Sequence, residues 1–241
     1  MWISTPIGGR PADVFIPEAP PAPGAVLYLH GYGEEHLSDN DVFTACFEKF
    51  RLRVVAPRGG TGWWLDQLHP HFDSRQTPMH YLLHDVTGWI EAQWDVSPPQ
   101  IALIGVSMGG QAALNLAYRH ALRFPIVAAL SPAIDFDQLY GKGYGIEDMF
   151  PSAEAARQET VTLHLHPLNW PKHQFFSSDP LDQFWHTGSE RLASKLRSSG
   201  VPFQGDLQTS HGGHGWQYFN AMAERTVGFV AEGLQKESKS S

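Results

Sequence analysis

Four short blocks of this sequence carry residue types that could work together chemically. The first is Gly105-Val106-Ser107-Met108-Gly109-Gly110, a G-x-S-x-G pattern between the apolar run Ile101–Val106 and the small-residue-rich helical stretch Gly109–His120. A strand that turns sharply into a helix leaves the central serine strained, with its hydroxyl raised at the carboxyl end of a sheet. Glycines on either side let the helix pack close to the turn. The helix N-terminus also favours negative charge developing beside it. Ser107 is therefore the candidate nucleophile. A nucleotide-binding reading fails, because Gln111-Ala112 stands where a phosphate loop needs Lys and Ser/Thr. Gly31 and Gly33 likewise do not begin a dinucleotide fingerprint, since His36 takes the place of its last glycine.

The second block, Ser210-His211-Gly212-Gly213-His214-Gly215-Trp216, offers two histidines between an apparent last strand and last helix, where a general base could reach the serine. The third, Phe175-Phe176-Ser177-Ser178-Asp179-Pro180-Leu181-Asp182, supplies carboxylates that could orient the base. The chain order serine, acid, histidine suits this geometry. Asp179 lies nearer the strand end and Pro180 stiffens the turn behind it, so Asp179 is the expected acid and Asp182 the reserve. The fourth block is His30-Gly31-Tyr32-Gly33, directly after the buried run Ala25–Leu29. Acyl transfer needs two donors aimed at an oxyanion, and the backbone N–H groups of Met108 and Tyr32 are expected to supply them. Trp63 and Trp64 follow a glycine run, and Trp216 and Tyr218 follow His214. All four could wall a substrate pocket, although an indole could equally pack in the core. Arg58 is the only Lys or Arg in Pro57–Trp64 and none lies in Ser210–Tyr218, which disfavours strongly anionic substrates.

The elements that would position these blocks alternate. Strand patterns fall at Ala12–Ile16, Ala25–His30, Arg53–Pro57, Ile101–Val106, Ile126–Leu130, His173–Ser177 and Phe203–Leu207. Helical spacing occupies Asp39–Phe50, Pro78–Trp94, Gly109–His120, Glu190–Ser199 and Trp216–Leu234. Such alternation predicts an α/β fold, with a mostly parallel central sheet flanked by helices on both faces. Ala133–Pro171 fits no simple element and reads as either a small cap or an elaborated crossover within one domain spanning 1–241. His69-Pro70-His71 and His164-Leu165-His166 have the spacing of metal-ligand pairs but lack a nearby cysteine or carboxylate at ligand spacing, so a structural or solvated role is expected and no metal.

Composition narrows the function classes. The chain has 241 residues, 42% hydrophobic and 17% charged, with formal net charge −8. It reads as globular, and the acidic balance disfavours nucleic acid and anionic membranes as partners. Its one cysteine, Cys46, excludes an intrachain disulfide and reads as a buried structural thiol. No secretory signal or membrane-length apolar stretch is visible, and a cytoplasmic location is expected.

Taken in order, the four blocks resemble the α/β-hydrolase superfamily. More narrowly they resemble the putative-esterase family, which includes S-formylglutathione hydrolases (esterase D), feruloyl esterases and mycolyltransferases. The resemblance covers Ala12 to about Leu234, and its most specific pieces are the Ser107 block and Gly212-Gly213-His214-Gly215-Trp216-Gln217-Tyr218. It implies His214 as base in preference to His211, and Asp179 as acid. It also implies hydrolysis of a carboxylic ester or thioester through an acyl-enzyme, with a small-molecule ester as partner and no cofactor. Acyl transfer or peptide cleavage on the same fold, and a catalytically silent binding module, are the alternatives.

Overall fold

Alternation along the central strands divides the apolar residues between two cores. In β3 (Ala25–Leu29), Ala25, Leu27 and Leu29 join one core while Val26 and Tyr28 join the other. In β5 (Ile101–Val106), Ile101 and Leu103 lie on the first face, and Ala102, Ile104 and Val106 on the second. A strand covered on both faces has no polar side, which is why these segments read as unbroken apolar runs.

The computed structural model describes residues 1–239. The remaining strands are β1 (Trp2–Ile7), β2 (Arg10–Phe15), β4 (Val54–Pro57), β6 (Ile126–Leu130), β7 (His173–Ser177) and β8 (Gln204–Asp206). They form one sheet in the order β1-β2-β4-β3-β5-β6-β7-β8. β1 pairs antiparallel with β2, and β2 with β4, while every other neighbouring pair is parallel. The mostly parallel α/β sheet expected from the alternation is therefore present. The chain steps from β3 to β4 on one side, then back to β5 on the other. The crevice at the carboxyl ends of β3 and β5 is thus a topological switch point, where sheets of this kind bind ligands.

Two helices cover one face. These are α1 (Asp41–Lys49), through Phe43, Cys46 and Phe47, and α8 (Trp216–Ser238), through Tyr218, Phe219, Met222 and Val227. The other face carries α2 (Pro78–Tyr81) and α3 (Thr87–Trp94), joined by a π turn over Leu82–Val86, together with α4 (Met108–Arg119) and α7 (His186–Ser198). Between β6 and β7 lie the short helices α5 (Ile146–Met149) and α6 (Ala153–Arg157). The segment 133–171 has no separate core: Phe136, Ile146, Phe150, Ala156 and Val161 pack into the core of the α4 face. Among the described residues no helix is long and apolar enough to cross a membrane.

Candidate active site

The Ser107 turn is forced by close backbone approach. A Cβ at Gly105 would sit 2.1 Å from the Gly109 carbonyl oxygen, and one at Gly109 would sit 2.0 Å from the Leu29 carbonyl oxygen. Only glycine fits at either place, so α4 starts directly against β3 and β5. Ser107 itself takes φ 54° and ψ −118°, a conformation costing about 1–3 kcal/mol that the surroundings must hold in place. They do so through its own peptide groups. Ser107 N–H donates to Leu130 O at 2.9 Å, and Ser107 O accepts from Ala133 N–H at 3.0 Å and Gln111 N–H at 3.1 Å.

The histidine that meets this serine is His214. Its Nε2 lies 3.0 Å from Ser107 Oγ, and its Nδ1 lies 2.8 Å from Asp182 Oδ2. An ionised carboxylate only accepts, so Nδ1 carries the proton and the Nε2 lone pair faces the hydroxyl. The His214 ring also meets Phe219 edge-on, at 5.4 Å between ring centroids. Burial alone would raise the Asp182 pKa. The hydrogen bond and charge of His214, with the N–H groups of Trp185 and Phe184, outweigh burial and hold it below the usual carboxylate range. His211 makes a different contact, its backbone N–H donating to Asp179.

The expectation for Asp179 is therefore corrected: the carboxylate on His214 belongs to Asp182. Asp179 is buried and turned toward the backbone. It accepts from Leu181 N–H at 2.8 Å, Ser210 Oγ–H at 2.8 Å, Gly213 N–H at 2.9 Å and His211 N–H at 2.5 Å. Burial would raise its pKa, but these donors more than offset it and hold it at about 2. The sequence offers two aspartates in one turn, and this one is consumed by joining that turn to the histidine loop. Asp182 Oδ1 also accepts from Phe184 N–H and Trp185 N–H, each at 3.0 Å, closing the turn that leads into α7. The helix begins at His186, earlier than the Glu190 expected from the sequence.

Ser107 and His214 open into a cavity of about 180 Å³ lined by Tyr32, Trp63, Met108, Leu139, Tyr144, Phe184 and Trp185. Tyr32 and Met108, the expected oxyanion donors, are both on this wall. Met108 is the first residue of α4, so its N–H has no intrahelical acceptor. The Tyr32 loop is held by His30, whose Nδ1–H donates to Gly31 O at 2.7 Å and whose Nε2 accepts from Gly59 N–H at 3.0 Å. Burial lowers the His30 pKa, consistent with a neutral ring.

Of the aromatic residues expected in the pocket, only Trp63 lies there. Its Nε1–H donates to Tyr144 O at 2.9 Å. Trp64 is 1% exposed and lies beneath the loop, its ring against His30 and so close to Gly59 that a Cβ there would sit 2.4 Å from the indole. It fastens two loops together instead of meeting substrate. Trp216 stacks edge-on against Phe43 and Phe219, on the α1 side. Tyr218 is fully buried in the α8 core. The first turn of α8 points into the fold, which removes both residues from the cavity. Leu139, Tyr144, Phe184 and Trp185 were not expected. The aromatic pair Phe184-Trp185, which begins two residues after Asp182, was the available signal for two of them.

Of the other histidine pairs, the one at His164 and His166 has local partners, whereas both ring nitrogens of His69 are buried without a hydrogen-bond partner among the described residues. His164 Nε2 accepts from Arg119 at 2.7 Å, and His166 Nδ1 from Leu168 N–H at 3.1 Å. His69 is buried with its ring 5.4 Å from that of His71.

Known proteins share this fold and family. The family model described as Putative esterase matches residues 13–225. The diacylglycerol acyltransferase/mycolyltransferase Ag85A of Mycobacterium bovis is 28% identical over 184 residues, covering 68% of this chain and 54% of its own length. Ag85B of Mycolicibacterium smegmatis is 30% identical over 140 residues, covering 54% and 43%. The chain thus spans about half the length of the curated relatives it matches. Among solved structures, an S-formylglutathione hydrolase from Agrobacterium tumefaciens superposes with TM-score 0.78 at 15% identity, covering 97% of this chain and 94% of that one. A ferulic acid esterase gives 0.75 at 17% identity, covering 96% and 97%. A fluorophosphonate-binding serine hydrolase of Staphylococcus aureus, FphF, gives 0.77 at 16% identity, covering 96% and 98%. The fold is that of the α/β-hydrolases, and the chain belongs to the Putative esterase family.

Proposed function

We propose that this chain is a serine carboxylesterase that cleaves a neutral, small-molecule ester through an acyl-enzyme. The observation that carries the reading is the continuous hydrogen-bonded chain from Asp182 through His214 to Ser107, opening on an apolar cavity. His214 Nε2 takes the Ser107 proton as Oγ attacks the ester carbonyl carbon, giving a tetrahedral oxyanion. The backbone N–H groups of Tyr32 and Met108 receive that charge. As the C–O bond to the leaving group breaks, His214 returns the proton to the departing alcohol. Water then enters, gives its proton to His214 and attacks the acyl carbonyl, and the acid leaves as Ser107 regains its proton. Asp182 keeps His214 in the required tautomer and stabilises the transient imidazolium. The chemistry needs no cofactor.

Neutral esters are favoured because no Lys, Arg, Asp or Glu lines the cavity. Lys142, the cation nearest in sequence to the lining residues, does not itself line the cavity, and Arg58 is held by Asp13 at 3.0 Å. Glu34, Glu35 and Asp39 line a cleft with Trp216, on the chain segments that follow Tyr32 and His214, which disfavours a leaving group that carries carboxylates, such as glutathione. The small cavity favours a short acyl chain over a fatty-acyl lipid. The curated relatives are named as acyltransferases, and acyl transfer shares every step until the acceptor arrives. Product partition with an added alcohol separates the two. A cytoplasmic location goes with this reading, in keeping with a lone buried Cys46.

A fluorophosphonate should label Ser107, and Ser107→Ala should abolish both labelling and turnover. Across p-nitrophenyl esters from acetate to palmitate, with p-nitrophenyl phosphate as control, kcat/KM should peak at short chains. Unchanged labelling of Ser107→Ala would overturn the nucleophile. A maximum at palmitate, or faster phosphate release, would overturn the substrate class.

A further inference from the structure

The cavity has a fixed floor and one uncovered wall. Trp63 and Met108 are buried, whereas Phe184 lines the cavity and remains 69% exposed. An exposed phenyl ring removes little apolar area from water, so it adds little to the stability of the fold. A solitary exposed apolar residue is ordinary. Two observations set this one apart. Its backbone N–H is fixed at 3.0 Å by Asp182 Oδ1, while the other oxygen of the same carboxylate holds His214 at 2.8 Å. One side chain thus anchors both the base and the backbone that carries the ring. The remaining mouth is also apolar, formed by Leu139 and by Tyr144, which is 38% exposed and meets Tyr32 edge-on at 5.2 Å.

We propose that Phe184 is a specificity-determining residue, covering an apolar group of the ester that projects out of the cavity. The preferred substrate class is then an ester carrying a compact branched or cyclic apolar group close to the carbonyl. Binding would bury the ring that the free protein leaves in water, and the gain would scale with the apolar area of that group. The polarity of the group should matter as much as its size, since the mouth presents no charged side chain to a polar substituent. This inference rests on the esterase reading given above.

The experiment compares the parent chain, Phe184→Ala and Phe184→Tyr on two ester series. The acyl series is p-nitrophenyl acetate, butyrate, methoxyacetate and cyclohexanecarboxylate. The alcohol series is ethyl and cyclohexyl acetate. Butyrate and methoxyacetate have nearly the same shape and differ in polarity. Phe184→Ala should raise KM about tenfold for the cyclohexyl ester of one series, with a much smaller rise for its smallest member. Its kcat should move far less than KM, and the parent's preference for butyrate over methoxyacetate should shrink. Phe184→Tyr keeps the ring and should restore most of the loss. The series that responds identifies whether the acyl or the alcohol group meets Phe184. A uniform fall across both series would mean that the ring only shapes the Asp182 turn, and unchanged kinetics would mean that it is idle. Either result overturns the proposal. Fluorophosphonate labelling of the parent separates the two levels. A labelled Ser107 with no size dependence sinks this inference alone, while an unlabelled Ser107 sinks the esterase reading and this inference with it.

Discussion

The turn after β5 and the turn after β7 both deliver a side chain to the same cavity, yet they are built on different physics. At Ser107 the geometry is steric: two glycine positions lie within about 2 Å of carbonyl oxygens once a Cβ is added, so the backbone has one way to run. At Asp179–Trp185 the geometry is a division of hydrogen bonds between two carboxylates three residues apart. Asp179 takes four donors from the backbone and Ser210. Asp182 takes two backbone donors with one oxygen and His214 with the other. A steric constraint is written into residue identity, since only glycine satisfies it. A division of hydrogen bonds is not, since either aspartate has the chemistry and only the path of the chain decides.

Substitutions that leave shape intact break this comparison most sharply. Asp182→Asn should preserve the Oδ1 contacts to Phe184 and Trp185 while removing the charge on His214. An amide in that place favours the wrong imidazole tautomer, and kcat should fall by roughly ten-thousand-fold with the fold retained. Steady-state kinetics with circular dichroism check this, and activity near that of the parent would remove Asp182 from the mechanism. Gly109→Ala tests the steric turn. Its Cβ would meet the Leu29 carbonyl at 2.0 Å, backbone against backbone, so α4 must move off β3. Overpacking of this kind costs at least about 1–3 kcal/mol, and displacement of Ser107 should lower activity as well. A urea midpoint equal to that of the parent would show that α4 can yield against β3 at no cost.

The same contrast explains what could be read in advance. The strand runs Ala25–Leu29, Ile101–Val106, Ile126–Leu130 and His173–Ser177 were legible because burial on both faces leaves a plain apolar signature. Ser107 was legible because its glycines have no other use. β2 was expected at Ala12–Ile16, but β1 and its hairpin with β2 were missed, although Gly8-Gly9 between two extended runs is a turn signal. Trp64, Trp216 and Tyr218 were misplaced because an aromatic residue near a catalytic block has the same composition whether it faces substrate or core. What decided their places was the packing of Trp64 against Gly59 and His30, and the inward turn of α8 at Tyr218. Leu139 and Tyr144 reach the cavity from the β6–β7 crossover, whose irregular sequence gives no period from which to project a face.

The smallest effect in the comparison belongs to Asp179, and its sign with pH is the sharpest test of the division of labour. Its pKa of about 2 lies below the ordinary aspartate value of about 4. A carboxyl group depressed in the folded state stabilises above its unfolded pKa and loses that contribution as pH falls toward the folded value. The contacts of Asp179 should therefore be fully present above about pH 4 and fade as pH drops toward 2. In Asp179→Asn the amide can still accept through its oxygen, but its NH₂ group would face the N–H donors of His211 and Gly213. Stranding those donors should cost about 1–3 kcal/mol near neutral pH. The loop that carries His214 should loosen, so kcat should fall, but by far less than in Asp182→Asn. Urea denaturation of parent and variant from pH 6 to pH 2.5 gives the decisive curve. The stability gap should be widest at pH 6 and narrow steadily below pH 4, because protonation removes from the parent what the substitution removed from the variant. A gap independent of pH would mean that the charge of Asp179 contributes nothing, leaving Asp182 as the only carboxylate in the turn whose ionisation matters.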